Sequence, residues 1–209
     1  VYQPGNPEGG PLIHYRLVLD DDRQDELENR SIQSDDPLYG AFVFNDSEIY
    51  QSVGVHFHGS PWERPGNPRS FKLSFPGDQK LHGTKKFNVS RYGANVNDGT
   101  AHYLIGRNGS SNEPAPHCRY EYVRWEVSGE DQGILGRVET VDGAYVKRWF
   151  RGDDEGPLFR ANGKIFFRRD ETWNLYRWVA LEDWGADKEA YRWNWDLHTR
   201  ELEDDWTQF

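Results

Sequence analysis

Apolar and polar residues alternate through much of the first two thirds of the chain, the signature of half-buried β-strands. The clearest case is Ser70-Phe71-Lys72-Leu73-Ser74-Phe75, where Phe71, Leu73 and Phe75 share one face and Lys72 takes the other. Residues 13–19 predict a first strand, ended by the acidic run Asp20-Asp21-Asp22. Ala41-Phe42-Val43-Phe44 and residues 49–57 predict two more, joined by Asn45-Asp46-Ser47-Glu48, a turn-forming cluster of hairpin length. Phe87-Asn88-Val89 predicts a short strand. Residues 119–127 and 133–141 predict a further pair, joined by Ser128-Gly129-Glu130-Asp131-Gln132-Gly133.

Helical signals are fewer. Asp98 is a suitable N-cap for a helix running to about Arg107, with Tyr103 and Leu104 facing inward and Gly109 past its end. Asp142 caps a short helix carrying Tyr145, Val146, Trp149 and Phe150. The stretch 20–38 is polar and reads as solvated, with at most one short helix at Asp25-Glu26-Leu27-Glu28. Residues 1–11 hold three Pro and three Gly and predict a tail or linker ahead of a single lobe over 12–209. Past the acidic loop Asp153-Asp154-Glu155-Gly156 the pattern loses its period. The expected fold is α+β, a mostly antiparallel β-sheet with a few short helices.

Composition sharpens this picture. The chain has 9 Trp, 11 Tyr and 11 Phe in 209 residues, and rings of that size supply large buried areas and favour strands. The net charge of −10 disfavours non-specific nucleic-acid binding, which relies on basic surfaces. No apolar run reaches the roughly 18 residues of a membrane-spanning helix, so neither nucleic acid nor membrane insertion is expected. A single cysteine, Cys118, excludes an internal disulfide and a cysteine-based zinc site within the chain. The absence of Met and the opening Val1 predict a processed or excised fragment.

A series of short motifs carries a family resemblance. Gly54-Val55-His56-Phe57-His58-Gly59-Ser60, a Pro-rich loop, and then Pro68-Arg69-Ser70-Phe71-Lys72-Leu73-Ser74-Phe75 resemble the signature of the spore-coat CotH family, G-V-R-x-R-G-N-S followed by P-K-K-S-[FY]-K-x-K-F. Lys86-Phe87-Asn88 is similar to the family's K-x-L-N element, and Asp98 sits where its helix begins. Pro114-Ala115-Pro116, Tyr122-Val123, Ser128-Gly129, Gly133-Ile134-Leu135 and Glu139-Thr140-Val141-Asp142 follow in the family's order. Residues 191–206, ending Glu203-Asp204-Asp205-Trp206, are similar to a segment closing E-D-D-W. The resemblance covers about residues 12–206. Each piece alone is weak, and the ordered series is what persuades.

That family comprises atypical protein kinases. The resemblance therefore implies a kinase N-lobe-like sheet, ATP and Mg2+ as cofactors, a coat or cell-surface protein as phosphoacceptor, and an extracellular or spore-surface location. Phosphoryl transfer requires a cation on the phosphates, a metal held by carboxylates, and a carboxylate that orients the acceptor hydroxyl. Lys72, on a strand and off the packed face, suits the first role. Arg69 and Asn88 join it as cofactor-binding candidates, and Glu139 is the candidate ion-pair partner of Lys72. The family's catalytic aspartates belong to a later helical lobe near a W-D-x-D pattern. Trp195-Asp196-Leu197-His198 matches that pattern only superficially, its second acid being His198, so no catalytic aspartate is assigned.

The chain also departs from the family. The R-x-R before the glycine is His56-Phe57-His58 here, leaving Arg64 and Arg69 to compensate, and the helix after Asp98 shows His102 and Tyr103 where an arginine belongs. Two rival readings follow. His56 and His58, two apart on a strand, present their rings on one face and suit a bridging metal, with His82, His102, Glu121 or Glu139 to complete it. A non-catalytic structural or carbohydrate-contacting module is the other, suited by the many aromatics, the loop with Trp62 and the missing catalytic residues, although Trp62, Trp173, Trp184 and Trp193 read as core or loop anchors more than as sugar platforms. A hydrolase built on Cys118 and His117 has little support, since neighbours on a strand point to opposite faces.

Overall fold

The structure, a computed structural model, describes residues 12–59, 64–91, 96–108, 115–152, 154–161, 164–167, 173–177, 183, 185–192, 195–204 and 206–207. The tail expected over residues 1–11 lies outside them. The chain divides into two compact units, Val1–Thr140 and Val141–Phe209.

Seven strands build the first unit: β1 (Ile13–Val18), β2 (Leu38–Phe44), β3 (Glu48–His58), β4 (Ser70–Ser74), β5 (Lys86–Ser90), β6 (Tyr120–Val127) and β7 (Glu130–Glu139). They close into a barrel in the order β1-β2-β3-β4-β5-β7-β6. Every pairing is antiparallel except the closing one, where β1 runs parallel to β6. The fold is thus strand-rich and mixed α+β, but its sheet is shut on itself rather than open.

Alternation along each strand fills the barrel. Phe71, Leu73, Val53, Val55, Phe57, Phe87, Val89, Val123 and Trp125 point inward and are all but fully buried. Tyr15, Phe42, Phe75 and Phe87 interlock at its centre, with ring centroids 5.1 Å apart for Tyr15–Phe42 and 5.5 Å for Phe42–Phe75. Edge-to-face aromatic packing of this kind adds to area burial, which explains how a chain poor in aliphatic residues sustains a core.

The hairpin between β6 and β7 is tighter than the sequence suggests. Ser128 and Gly129 both have positive φ, 47° and 89°, which is the two-residue turn whose twist matches its flanking strands. β7 therefore starts at Glu130, and one surplus residue, Gln132, is absorbed by an irregularity after Trp125.

Helix α1 (Asp21–Asn29) is longer than the expected single turn; the Asp20 carboxylate accepts from the Arg23 backbone N–H, and only Leu27 is buried. Helix α2 (Val96–Arg107) corrects the sequence reading of its faces. Tyr103 and Leu104, expected to point inward, are 36% and 52% exposed. The packed face runs through Gly99, His102 and Gly106. A Cβ on Gly99 would lie 2.6 Å from the Tyr122 hydroxyl, and one on Gly106 2.9 Å from the His117 ring. Small residues let this helix approach the sheet, so hydrophobicity marks the wrong side.

The second unit holds α3 (Gly143–Trp149), capped by the Asp142 carboxylate as expected, and α4 (Lys188–Arg192). Two short sheets pair β8 (Phe159–Ala161) with β11 (Trp195–Leu197), and β9 (Lys164–Phe167) with β10 (Trp173–Arg177). Among the described residues no helix is long and apolar enough to cross a membrane.

Candidate functional site

The outer face of β3, β4, β5, β7 and β6 carries some of the polar residues that the sequence singles out, among them His56, Lys72 and Asn88. Register sets His56 opposite Lys72, Lys72 opposite Asn88, Asn88 opposite Val138 and Val138 opposite Tyr120. One row thus crosses five strands. Because Phe71 and Leu73 fill the barrel, Lys72 must point outward, and it does so half-buried. Among the described residues no carboxylate lies within 4.0 Å of the Lys72 ammonium. The Asn88 carboxamide beside it has an oxygen that is buried and without a hydrogen-bond partner, a state that native proteins seldom leave unexplained.

Helix α2 packs on the same face. His102 stacks on Tyr120 with centroids 5.6 Å apart, and Gly99 touches Tyr120 and Tyr122.

At the β3 end of the row, the segment following α1 folds over the face. The Asp35 carboxylate accepts from the Arg64 guanidinium at 2.7 Å and lies 3.4 Å from His56 Nδ1. Burial pushes the Asp35 carboxyl up, but the Arg64 hydrogen bond and the charges of Arg64, His56 and Lys72 prevail and hold it below the usual range. His56 moves down, first because it is desolvated, although the Phe57 carbonyl and Asp35 oppose the change. Its Nδ1 lies 2.9 Å from the Phe57 carbonyl oxygen. That contact fixes the proton on Nδ1 and leaves Nε2 an acceptor. His56 is therefore a neutral ring near neutral pH rather than a fixed cation.

Arg64 does not compensate. Its Nε donates to the Gly59 carbonyl at 2.9 Å, one terminal nitrogen reaches the Ile32 carbonyl at 3.3 Å, and the other holds Asp35. It is a buried clasp, 8% exposed, with its donors turned to the protein.

Two candidates stand apart from Lys72. Glu139 pairs with Phe87, an inward residue, and so takes the opposite face of the sheet. Its Oε2 accepts from the Arg119 backbone N–H at 2.9 Å. An ion pair between Lys72 and Glu139 is thereby excluded by strand parity. Arg69 lies 4.4 Å over the Phe57 ring and lines a pocket of about 330 Å3 with Leu27, Phe71 and Val127.

The metal alternative gains no ligand set. His56 and His58 do share a face, but among the described residues no group of three or more His, Cys, Asp or Glu could hold an ion. Of the proposed completing residues, His82 lies against Phe44 and Glu48, and Glu121 accepts from Arg137 at 2.6 Å beneath the sheet. Trp62, Trp184 and Trp193 lie outside the described residues, as does the Trp173 side chain.

Asp35 is the residue that sequence reasoning missed. It sits in a polar stretch whose charge pattern gives no hint that one carboxylate returns to the sheet. No protein-family model matches the chain, and no curated protein matches it.

Proposed function

We propose that the first unit is the nucleotide-binding portion of a CotH-like atypical kinase, with ATP and Mg2+ bound against the outer face of the sheet. One observation carries this reading. Five antiparallel strands run in the order β3-β4-β5-β7-β6, α2 is inserted between β5 and β6, and Lys72 shares its face with that helix. Strand order and helix insertion of this kind support an analogy with a protein-kinase N-lobe, where the lysine that meets the nucleotide phosphates lies on the third strand; Lys72 lies on the second of these five, β4. Lys72 brings a point charge without a carboxylate partner. Asn88, with its unsatisfied oxygen, offers an acceptor for a ribose hydroxyl or a metal-bound water.

Phosphoryl transfer also needs carboxylates to hold Mg2+ and orient the acceptor. Among the described residues Asp35 is the carboxylate that reaches the His56 end of this row, already engaged with Arg64, so transfer to a coat or cell-surface protein draws on further carboxylates. A second reading, a CotH-like domain that has kept its fold and given up catalysis, is favoured by the loss of both arginines before Gly59 and by the occupied donors of Arg64.

Thermal stabilisation by ATP with Mg2+ distinguishes the two. Ligand at about 100-fold above its Kd adds about 2.7 kcal/mol to stability, a rise of roughly 5–10 °C for a chain of this size. Lys72→Ala should abolish the rise, whereas Glu139→Gln, on the other face, should keep it. No shift at millimolar ATP, or an equal shift in Lys72→Ala, would sink the kinase reading and leave the non-catalytic one.

A further inference from the structure

The second unit contains a polar pocket that phosphoryl transfer does not explain. It has a volume of about 420 Å3, and its walls include Arg160, Arg192, Trp195, Asp196, Asp204 and Trp206. We propose that it binds a neutral saccharide.

The short β8–β11 pair sets Asp196 opposite Arg160, and their side chains form an ion pair at 3.0 Å. Helix α4 brings up Arg192 and Lys188, both of which pair with Asp204, the lysine at 3.1 Å. These cations hold the Asp204 carboxyl down at about 2. Asp204 also accepts from the Trp206 indole at 3.1 Å. That ring is steadied further by Arg192, 5.2 Å over it, and by Phe159 at 5.1 Å. Trp195 and Trp206 both remain half-buried rather than enclosed.

Two features choose the ligand class. Each guanidinium in the wall is matched by a carboxylate, so the pocket selects neither an anion nor a cation. The same groups remain fixed, charged donors and acceptors, the strongest partners for hydroxyl groups. Vicinal hydroxyls of a pyranose present donor and acceptor side by side, and the C–H face of the sugar ring packs against an aromatic ring. A nucleotide or an acidic peptide would instead call for uncompensated cations. The inference uses none of the residues of the nucleotide reading and stands or falls without it.

The test is a titration of the 209-residue chain with cellohexaose, maltohexaose and chitohexaose, followed by tryptophan fluorescence and calorimetry. We expect saturable binding to at least one of them with Kd on the order of 1 mM or tighter, weakened tenfold or more by Asp196→Asn and by Arg160→Gln. Trp206 also packs on Phe159, so these two polar variants, rather than a tryptophan deletion, decide the outcome. The proposal is overturned if none of the three sugars binds saturably, if both variants bind as the parent does, or if a sulfated oligosaccharide binds more tightly than the neutral ones.

Discussion

Arg137 and Glu121 form a largely buried ion pair on the inner face of the barrel. The guanidinium donates to Glu121 Oε1 at 2.6 Å, Tyr15 donates to the same oxygen at 2.7 Å, and Arg137 lies 4.8 Å over the Phe87 ring. Removing one partner strands a largely desolvated charge, so Arg137→Met should lower stability by roughly 3 kcal/mol in urea denaturation. Adding Glu121→Leu should recover much of that loss; a double variant worse than the single would refute the stranded-charge account. Tyr15 makes the same cluster sensitive to alkali. Burial, ahead of the charge and hydrogen bond of Glu121, raises its pKa well above 10.0 even though Arg137 opposes the shift. Its contribution is complete below the unfolded value and disappears as pH rises beyond it, so Tyr15→Phe should flatten the decline in stability above about pH 10. What the sequence revealed at this scale was direction within one strand. Lys72 points away from Phe71 and Leu73 by parity alone. Glu139 could not be placed that way, because its face depends on whether it pairs with Phe87 or with Asn88, and register is a property of two strands.

Between elements, close approach matters more than hydrophobicity. At Gly40 a Cβ would meet the Val18 carbonyl oxygen and the Leu19 side chain, each at 2.6 Å, where β2 crosses β1 beside an irregularity in its pairing with β3. Backbone cannot swing aside as a side-chain tip can. Gly40→Ala should therefore cost about 1–3 kcal/mol, or roughly 2–10 °C in melting temperature, while Gly77→Ala, with nothing within 4 Å of its new methyl, should be neutral or slightly stabilising. Equal melting temperatures for the two variants would show that the β1–β2 contact has slack. The same physics explains which elements could be read in advance. Local hairpins such as β2–β3 and β6–β7 were legible, because turn residues and alternation lie next to each other in sequence. The parallel β1–β6 closure was not, since it joins residues more than a hundred positions apart and neither strand alone announces its neighbour. Helix α2 was found, but its packed face was missed, because glycines leave no hydrophobic trace.

Acid should act on the two units in different order. In the first, His56 and His102 both have lowered pKa values, chiefly from desolvation. The unfolded chain then binds protons before the folded one does, so stability rises with pH through this range. Their contribution is full above the unfolded value of 6.5 and is lost as pH falls toward the lowered folded values, with a slope of at most about 1.4 kcal/mol per pH unit for each ring. In the second unit the shifts that bear on acid are those of two carboxylates. Asp183 is lowered by the Gly185 backbone and Tyr191, and Asp204 by Arg192 and Lys188. Both contribute above their ordinary value of 3.8 and fail only as pH falls below it. Between pH 6.5 and about 4.5 the barrel should therefore weaken while the second unit holds. Hydrogen exchange read separately on β4–β5 and on β8–β11 tests this order. Protection of the barrel strands should fall across that window, and His56→Gln with His102→Gln should remove the fall. If both units lose protection together near pH 6, the histidines are not its cause, and the acid response belongs to groups shared by the whole chain.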